Sequence, residues 1–120
     1  MWHGDAIWFT TGSEERKARN LARNASCVLT TGRSDLVEGG LDVVLEGVAE
    51  QVTDDAELQP IAAAFAAKYG TETWDFVVRD GAFSHRAAGG RALVFRVRPV
   101  RGLGFRNGRT SSQTSWQFST

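Results

Sequence analysis

The stretch AIWFTTGSEERKARNLARN, residues 6–24, decides the fold, because an apolar strand passes directly into a charged helix within it. Residues 6–10 are β-branched and aromatic, which is typical of a strand, and Thr11 and Gly12 follow as a turn signal. From residue 13 onward the apolar side chains recur at helical spacing with charges between them. The stretch therefore predicts a strand–turn–helix unit.

The ends of this first helix carry recognisable capping residues. Ser13 is the predicted N-cap, and Thr11 with Glu14 matches a capping box that starts slightly earlier. Asn24 can end the helix. The apolar positions Ala18, Leu21 and Ala22 follow helical spacing, with charged residues at most of the other positions.

The middle of the chain predicts two strands and a second helix. Residues 27–31 form a short apolar run that predicts a buried strand, with Cys27 as a buried thiol. Residues 41–53 form the longest strand candidate, and the apolar alternation slips by one after Gly47, which indicates a bulge or a barrel corner. A helix starts at residues 54–57, with Pro60 interrupting or restarting it, and Gly70 ends it.

The C-terminal part predicts further strands. Residues 91–98 alternate clearly, and Pro99 is expected to stop that strand. Residues 100–105 are its hairpin or bulged continuation, and residues 114–118 form a last short strand. The prediction is a mainly β fold with two helical segments, as a small barrel or sandwich in one domain over residues 1–120.

Composition excludes several classes of function. The 14 basic and 14 acidic residues give a net charge of zero, which argues against a nucleic-acid binder and gives no reason to expect a membrane partner. A single cysteine allows neither an internal disulfide nor a thiolate metal cluster. No apolar stretch reaches membrane-spanning length, and residues 1–5 do not resemble a signal peptide, so the predicted location is the cytoplasm.

The start of the first helix is the strongest candidate for chemistry. Two threonines and a glycine end the strand just before the helix, and Arg16 and Lys17 lie in about the first turn of the helix. Hydroxyls, free backbone N–H groups and cations in this order can hold a phosphate. The same pattern is also typical of a solvated basic helix face, and Glu14 and Glu15 would repel a phosphate.

The remaining candidates favour packing over catalysis. His3 and His85 have no second ligand at metal spacing, so no metal site is predicted. Trp8 is predicted to lie in the core, while Trp74 and Trp116 can stack on a planar ligand, fill a dimer interface or simply pack.

The order of several segments resembles the pyridoxamine 5'-phosphate oxidase-like split β-barrels. Residues 4–12 and 16–21 look like the second strand and phosphate-binding helix of that family, and residues 41–47 look like its long strand, which ends in Glu46-Gly47. Further similar segments, some of them matching one bacterial subgroup, are residues 74–83, 92–99, 104–105 and 112–118.

The resemblance implies a homodimer with FMN, or alternatively a deazaflavin, bound at the subunit interface. Lys17 would bind the cofactor phosphate with help from Arg16 and Ser13, and Asn20 would support that site. Gln113 and Trp116 would contribute from the partner subunit. The flavin ring would meet the backbone around Phe9, Thr10 and Thr11.

Two departures from the family pattern accompany this resemblance. The helix and first barrel strand that usually precede this point are expected to be missing, which would leave an exposed sheet edge. Ser115 stands where the family commonly has an arginine.

The leading hypothesis is a flavin-dependent oxidoreductase that acts on an undefined small-molecule substrate. Pyridoxamine 5'-phosphate oxidase activity itself is not expected, because no second phosphate site is recognisable. The alternatives are a non-catalytic protein that binds a flavin or another planar ligand, and a degenerate fragment with no cofactor.

Overall fold

The computed structural model describes residues 1–31, 40–106 and 110–119, and within them the protein is mainly β with two helices. The strand pairs whose register is defined are all antiparallel. The predicted fold class is therefore confirmed. In chain order the elements are β1 (Trp2–His3), β2 (Ala6–Gly12), α1 (Arg16–Arg23), β3 (Ser26–Thr30), β4 (Leu41–Gln51), α2 (Asp55–Tyr69), β5 (Phe76–Arg79), β6 (Ala82–His85), β7 (Gly89–Arg106) and β8 (Ser112–Gln117).

The chain divides into two compact units. The first unit contains Met1–Ala25 and Ala49–Val97, and the second contains Ser26–Val48 and Arg98–Thr120. The long strands β4 and β7 each contribute residues to both units.

The first unit begins with a hairpin that the sequence patterns did not predict. β1 pairs with β2 through Trp2↔Ile7 and His3↔Ala6. The two residues between the strands, Gly4 and Asp5, both have positive φ, as a tight hairpin turn of the primed type requires. β2 then pairs with β7 from Ile7↔Val97 to Gly12↔Ala92.

Helix α2 supplies much of the core of the first unit. Leu58, Ile61 and Phe65 from α2 are almost fully buried with Phe83 and Val94, and burial of such side chains stabilises the fold by about 1.5–3 kcal/mol each. The Phe65 ring also stacks on Trp74, with 4.9 Å between the ring centroids. Trp8 is buried in the same cluster, as predicted.

Pro60 lies inside α2 without interrupting it. The helix begins after Asp54, whose side chain accepts a hydrogen bond from the Ala56 N–H, and Gly70 ends it with a φ of 88°. Pro60 cannot donate to the Ala56 carbonyl, but both residues are exposed, so water can satisfy that carbonyl. The predicted interruption is therefore wrong.

Helix α1 starts later than predicted. Its N-cap is Glu15, which makes no side-chain capping bond, so the predictions of Ser13 as N-cap and of a Thr11–Glu14 capping box are wrong. The backbone explains the shift: Ser13 N–H donates to Arg91 O at 3.4 Å, and Glu15 N–H donates to Gly12 O at 3.0 Å. Ser13 thus still belongs to the strand and turn. Asn24 ends the helix as predicted.

The second unit contains the β3–β4 and β7–β8 pairs. β3 is not a buried strand, because Val28 is 62% exposed and Cys27 is only partly buried. Pairing with β4 also runs in regular register through Cys27↔Gly47, so the bulge predicted at Gly47 is absent from this pair. The strand itself was predicted, but its side chains alternate between exposed and partly buried positions.

Pro99 does not stop β7, which continues to Arg106. The ladder with β2 ends at Val97, and the ladder with β8 begins at Arg101. Pro99 therefore lies between the two ladders, where its missing N–H removes no bond from either of them.

Candidate functional site

A cleft of about 410 Å³ opens in the first unit where β2 passes into α1. The end of β2 is fixed by its pairing with the start of β7 at Gly12↔Ala92, and the turn after Gly12 brings α1 back beside this pair. The residues that line the cleft are Thr10, Thr11, Gly12, Glu15, Lys17, Phe76, His85, Gly89, Gly90, Arg91 and Ala92.

The cleft brings two cations together from distant parts of the sequence. Lys17 lies in the first turn of α1, and Arg91 lies near the start of β7. The Arg91 guanidinium donates through Nη1 to the Asp80 carbonyl oxygen at 3.0 Å, so the turn between β5 and β6 holds it in place. Two cations at one cleft favour an anionic ligand.

A carboxylate lies in the same cleft. The buried Thr11 hydroxyl donates a hydrogen bond to Glu15 Oε2 at 2.9 Å. A Cβ added at Gly12 would lie 3.3 Å from both Cγ and Oε1 of Glu15, so the Glu15 side chain folds back over the glycine. The site therefore combines cations, a threonine hydroxyl and one acid.

An aromatic and imidazole wall borders the cleft on β5 and β6. His85 and Phe76 meet edge to face, with 5.8 Å between ring centroids. The His85 Nδ1 accepts hydrogen bonds from the N–H groups of Ala87 and Ala88, which ties the ring to the turn before β7.

The comparisons with known proteins give this geometry a family context. A family model described as pyridoxamine 5'-phosphate oxidase matches residues 1–104. The chain belongs to this family. The predicted resemblance is thereby confirmed, and the open antiparallel sheet is consistent with the split barrel of the family.

A solved structure supports the same fold. It is that of a protein from Jannaschia sp. CCS1, described provisionally as general stress protein 26, with a TM-score of 0.53 and 16% sequence identity. The match covers 94% of this chain and 75% of that one, and at this identity it shows the fold alone. No curated protein matches the sequence.

Three of the residues that the family resemblance predicted for a cofactor line this cleft. Thr10, Thr11 and Lys17 line it together. Arg16 and Asn20 are exposed on α1 and do not line it, and Ser13 lies in the preceding turn. Phe9 stacks on Phe95 instead, with 5.3 Å between ring centroids.

The two predicted residues on β8 belong to the second unit. Gln113 borders a depression of about 320 Å³ with Phe105, Arg106, Ser111 and Ser112. Trp116 packs against Gly102 and Gly104 of β7. Their contribution to the site of a partner subunit stays a prediction.

The residues present fit a phosphate-bearing ring cofactor of the kind that the family implies. Lys17, Arg91 and the threonines form a donor set suited to phosphate, and Phe76 and Ala92 add apolar surface. The cleft volume lies within the roughly 300–1,000 Å³ typical of small-molecule sites.

Within residues 1–31, 40–106 and 110–119, no group of three or more His, Cys, Asp or Glu side chains is placed to hold a metal ion. No helix in the same ranges is long and apolar enough to cross a membrane.

Proposed function

We propose that this protein binds a flavin in the first-unit cleft and works as a flavin-dependent oxidoreductase on a small-molecule substrate. FMN is the proposed cofactor, with a deazaflavin as the alternative. The observation that carries the proposal is the convergence of Lys17, Arg91 and two threonines on one cleft in a member of this family.

The phosphate of the cofactor would bind at the start of α1. Lys17 would supply a mobile cation there, while Arg91 would supply one that the Asp80 carbonyl already orients. Arg91 takes the supporting role that the family resemblance implied for Arg16, because it lines the cleft and Arg16 does not.

The ring of the cofactor would lie along the exposed part of the cleft. The backbone around Thr10 and Thr11 offers hydrogen-bonding groups, and the Phe76 side of the cleft offers an aromatic surface. When bound, the flavin would supply hydride or electron transfer. The protein's own residues would anchor, orient and partly shield it.

A homodimer completes the proposal. The second unit exposes several large apolar side chains that a second copy of this chain would cover, and Gln113 and Trp116 would then reach the site of the partner. Cytoplasmic location stays part of this proposal. The exposed apolar side chains of the second unit are Val28, Leu41, Val48, Val100, Trp116 and Phe118.

The test is an absorbance titration of two matched variants with FMN. Lys17→Ala should weaken FMN affinity about tenfold or more, because a charge-assisted hydrogen bond to phosphate is lost. Arg19→Ala removes an exposed cation from the same helix outside the cleft, so it should leave the affinity within about twofold. Both variants should keep the circular dichroism spectrum of the parent.

The same samples separate an enzyme from a binder. Oxidation of a reduced nicotinamide or a reduced deazaflavin by the FMN-loaded protein would support the oxidoreductase reading. Saturable FMN binding without any turnover would instead support the non-catalytic binding protein. Equal affinities of Lys17→Ala and Arg19→Ala would contradict the phosphate site.

A further inference from the structure

The acid Glu15 lines the same cleft in which the phosphate of the cofactor is proposed to bind. Glu15 is the N-cap of α1, and its side chain folds back over Gly12 instead of pointing away along the helix. Its Oε2 accepts the hydrogen bond of the Thr11 hydroxyl at 2.9 Å. Glu15 and the cation Lys17 thus line one cleft from the same end of the helix.

The cations of the cleft do not neutralise this carboxylate directly. In the part of the chain that the structure describes, no ion pair joins Glu15 to Lys17 or to Arg91. The acid is held by a neutral hydroxyl, so its charge acts on whatever enters the cleft.

We infer that Glu15 lowers the affinity of this cleft for phosphorylated ligands, because its negative charge lies at the Thr11 hydroxyl and repels a phosphate that would bind there. A threonine hydroxyl has one proton to donate, so Thr11 cannot donate to the carboxylate and to a phosphate oxygen at once. A bound phosphate therefore takes the hydroxyl from Glu15 and displaces the carboxylate by charge repulsion. This inference rests on the proposed function.

Glu15 should affect only the binding of ligands that carry a phosphate. Glu15 weakens the binding of a ligand that carries a phosphate, whereas the same ring without a phosphate meets no such repulsion. FMN and riboflavin form this pair of ligands, because they differ only in the phosphate. Glu15 is accordingly a specificity-determining residue and not a catalytic one.

Glu15→Gln tests the inference without disturbing the local hydrogen bond. The glutamine carbonyl can still accept from the Thr11 hydroxyl, so the turn keeps its partner while the charge is removed. Glu14→Gln is the matched control, because Glu14 is the exposed neighbour near the same helix end and does not line the cleft.

The measurement is the dissociation constant of FMN and of riboflavin for the parent protein and both variants. Glu15→Gln should bind FMN about threefold to tenfold more tightly, as expected for removal of one nearby like charge, and should bind riboflavin unchanged. Glu14→Gln should change neither constant by more than about twofold.

Three results would overturn the inference. FMN binding that Glu15→Gln does not tighten, or an equal gain for riboflavin, would show that the charge of Glu15 does not oppose the phosphate. An equal gain in Glu14→Gln would show a general charge effect in place of the local repulsion. If none of the proteins binds FMN saturably, the proposed function itself fails and this inference fails with it.

Discussion

Trp116 lies across Gly104, so that a Cβ added to the glycine would come within 2.8 Å of Trp116 Cη2 and 2.9 Å of Cζ3. The two residues stand on the neighbouring strands β7 and β8, where Gly104 pairs with Thr114 and Gly102 pairs with Trp116. The indole is 45% exposed although it packs on this glycine. Because Gly104 has no side chain, the Trp116 indole can pack directly on the backbone of β7.

Gly104→Ala should destabilise the protein by about 1–2 kcal/mol, because the indole must leave its place or the strands must separate. Urea denaturation measures the loss. In a Trp116→Ala background the same substitution should cost nearly nothing, since the clash is gone. Equal costs in the two backgrounds would contradict this packing.

Gly81→Ala should be more damaging than a comparable glycine substitution elsewhere. Gly81 has a φ of 74°, and its added Cβ would lie 2.8 Å from the carbonyl oxygen of Thr53. We expect a loss of about 2–3 kcal/mol from the left-handed backbone and the clash together. Gly4→Ala is the control, because Gly4 has a φ of 57° and open space around it, so only about 1 kcal/mol should be lost.

Urea midpoints of both glycine variants decide the comparison. Similar losses at Gly81 and Gly4 would mean that backbone conformation alone matters and that the approach of Thr53 to the hairpin is not tight.

Arg91→Ala should weaken FMN binding about threefold to tenfold and make the affinity less dependent on salt, because one of two cations at the cleft is lost. The measurement is the FMN dissociation constant at low and high ionic strength. Arg79→Ala removes an exposed cation of β5 that does not line the cleft, and it should leave both constants unchanged. An identical salt dependence in Arg91→Ala and the parent would contradict the two-cation site.

Local patterns in the sequence predicted the elements that local physics determines. The strand–turn–helix unit of residues 6–24 and the end of α1 at Asn24 were recognised from periodicity and capping. The hairpin of β5 and β6 was not, although Asp80-Gly81 between two apolar runs is a strong hairpin signal and both residues have positive φ.

The exposure of β3 and the continuation of β7 past Pro99 depend on tertiary pairing, which local sequence patterns do not reveal. The apolar run of residues 27–31 predicted burial at Val28, but burial needs a covering layer, and this side chain is exposed. Pro99 was predicted to end the strand because the sequence does not reveal that β7 changes its partner there, from β2 up to Val97 to β8 from Arg101.

Sequence reasoning predicted only those residues of the candidate site that lie in one continuous segment of the chain. Thr10, Thr11 and Lys17 come from one continuous segment, and the family resemblance marked them. Arg91 and His85 reach the same cleft only because β7 pairs with β2 and β6. No short sequence motif therefore predicts that these two residues line it. The double glycine at residues 89–90 was the signal of a turn there.

The most direct measurement is an absorbance titration of the purified protein with FMN and, separately, with the deazaflavin. We expect saturable binding of one of them at a stoichiometry of one per chain, with a change in the absorbance spectrum of the flavin ring. No saturable binding of either by a folded protein would contradict this expectation, and the family fold would then stand without the cofactor.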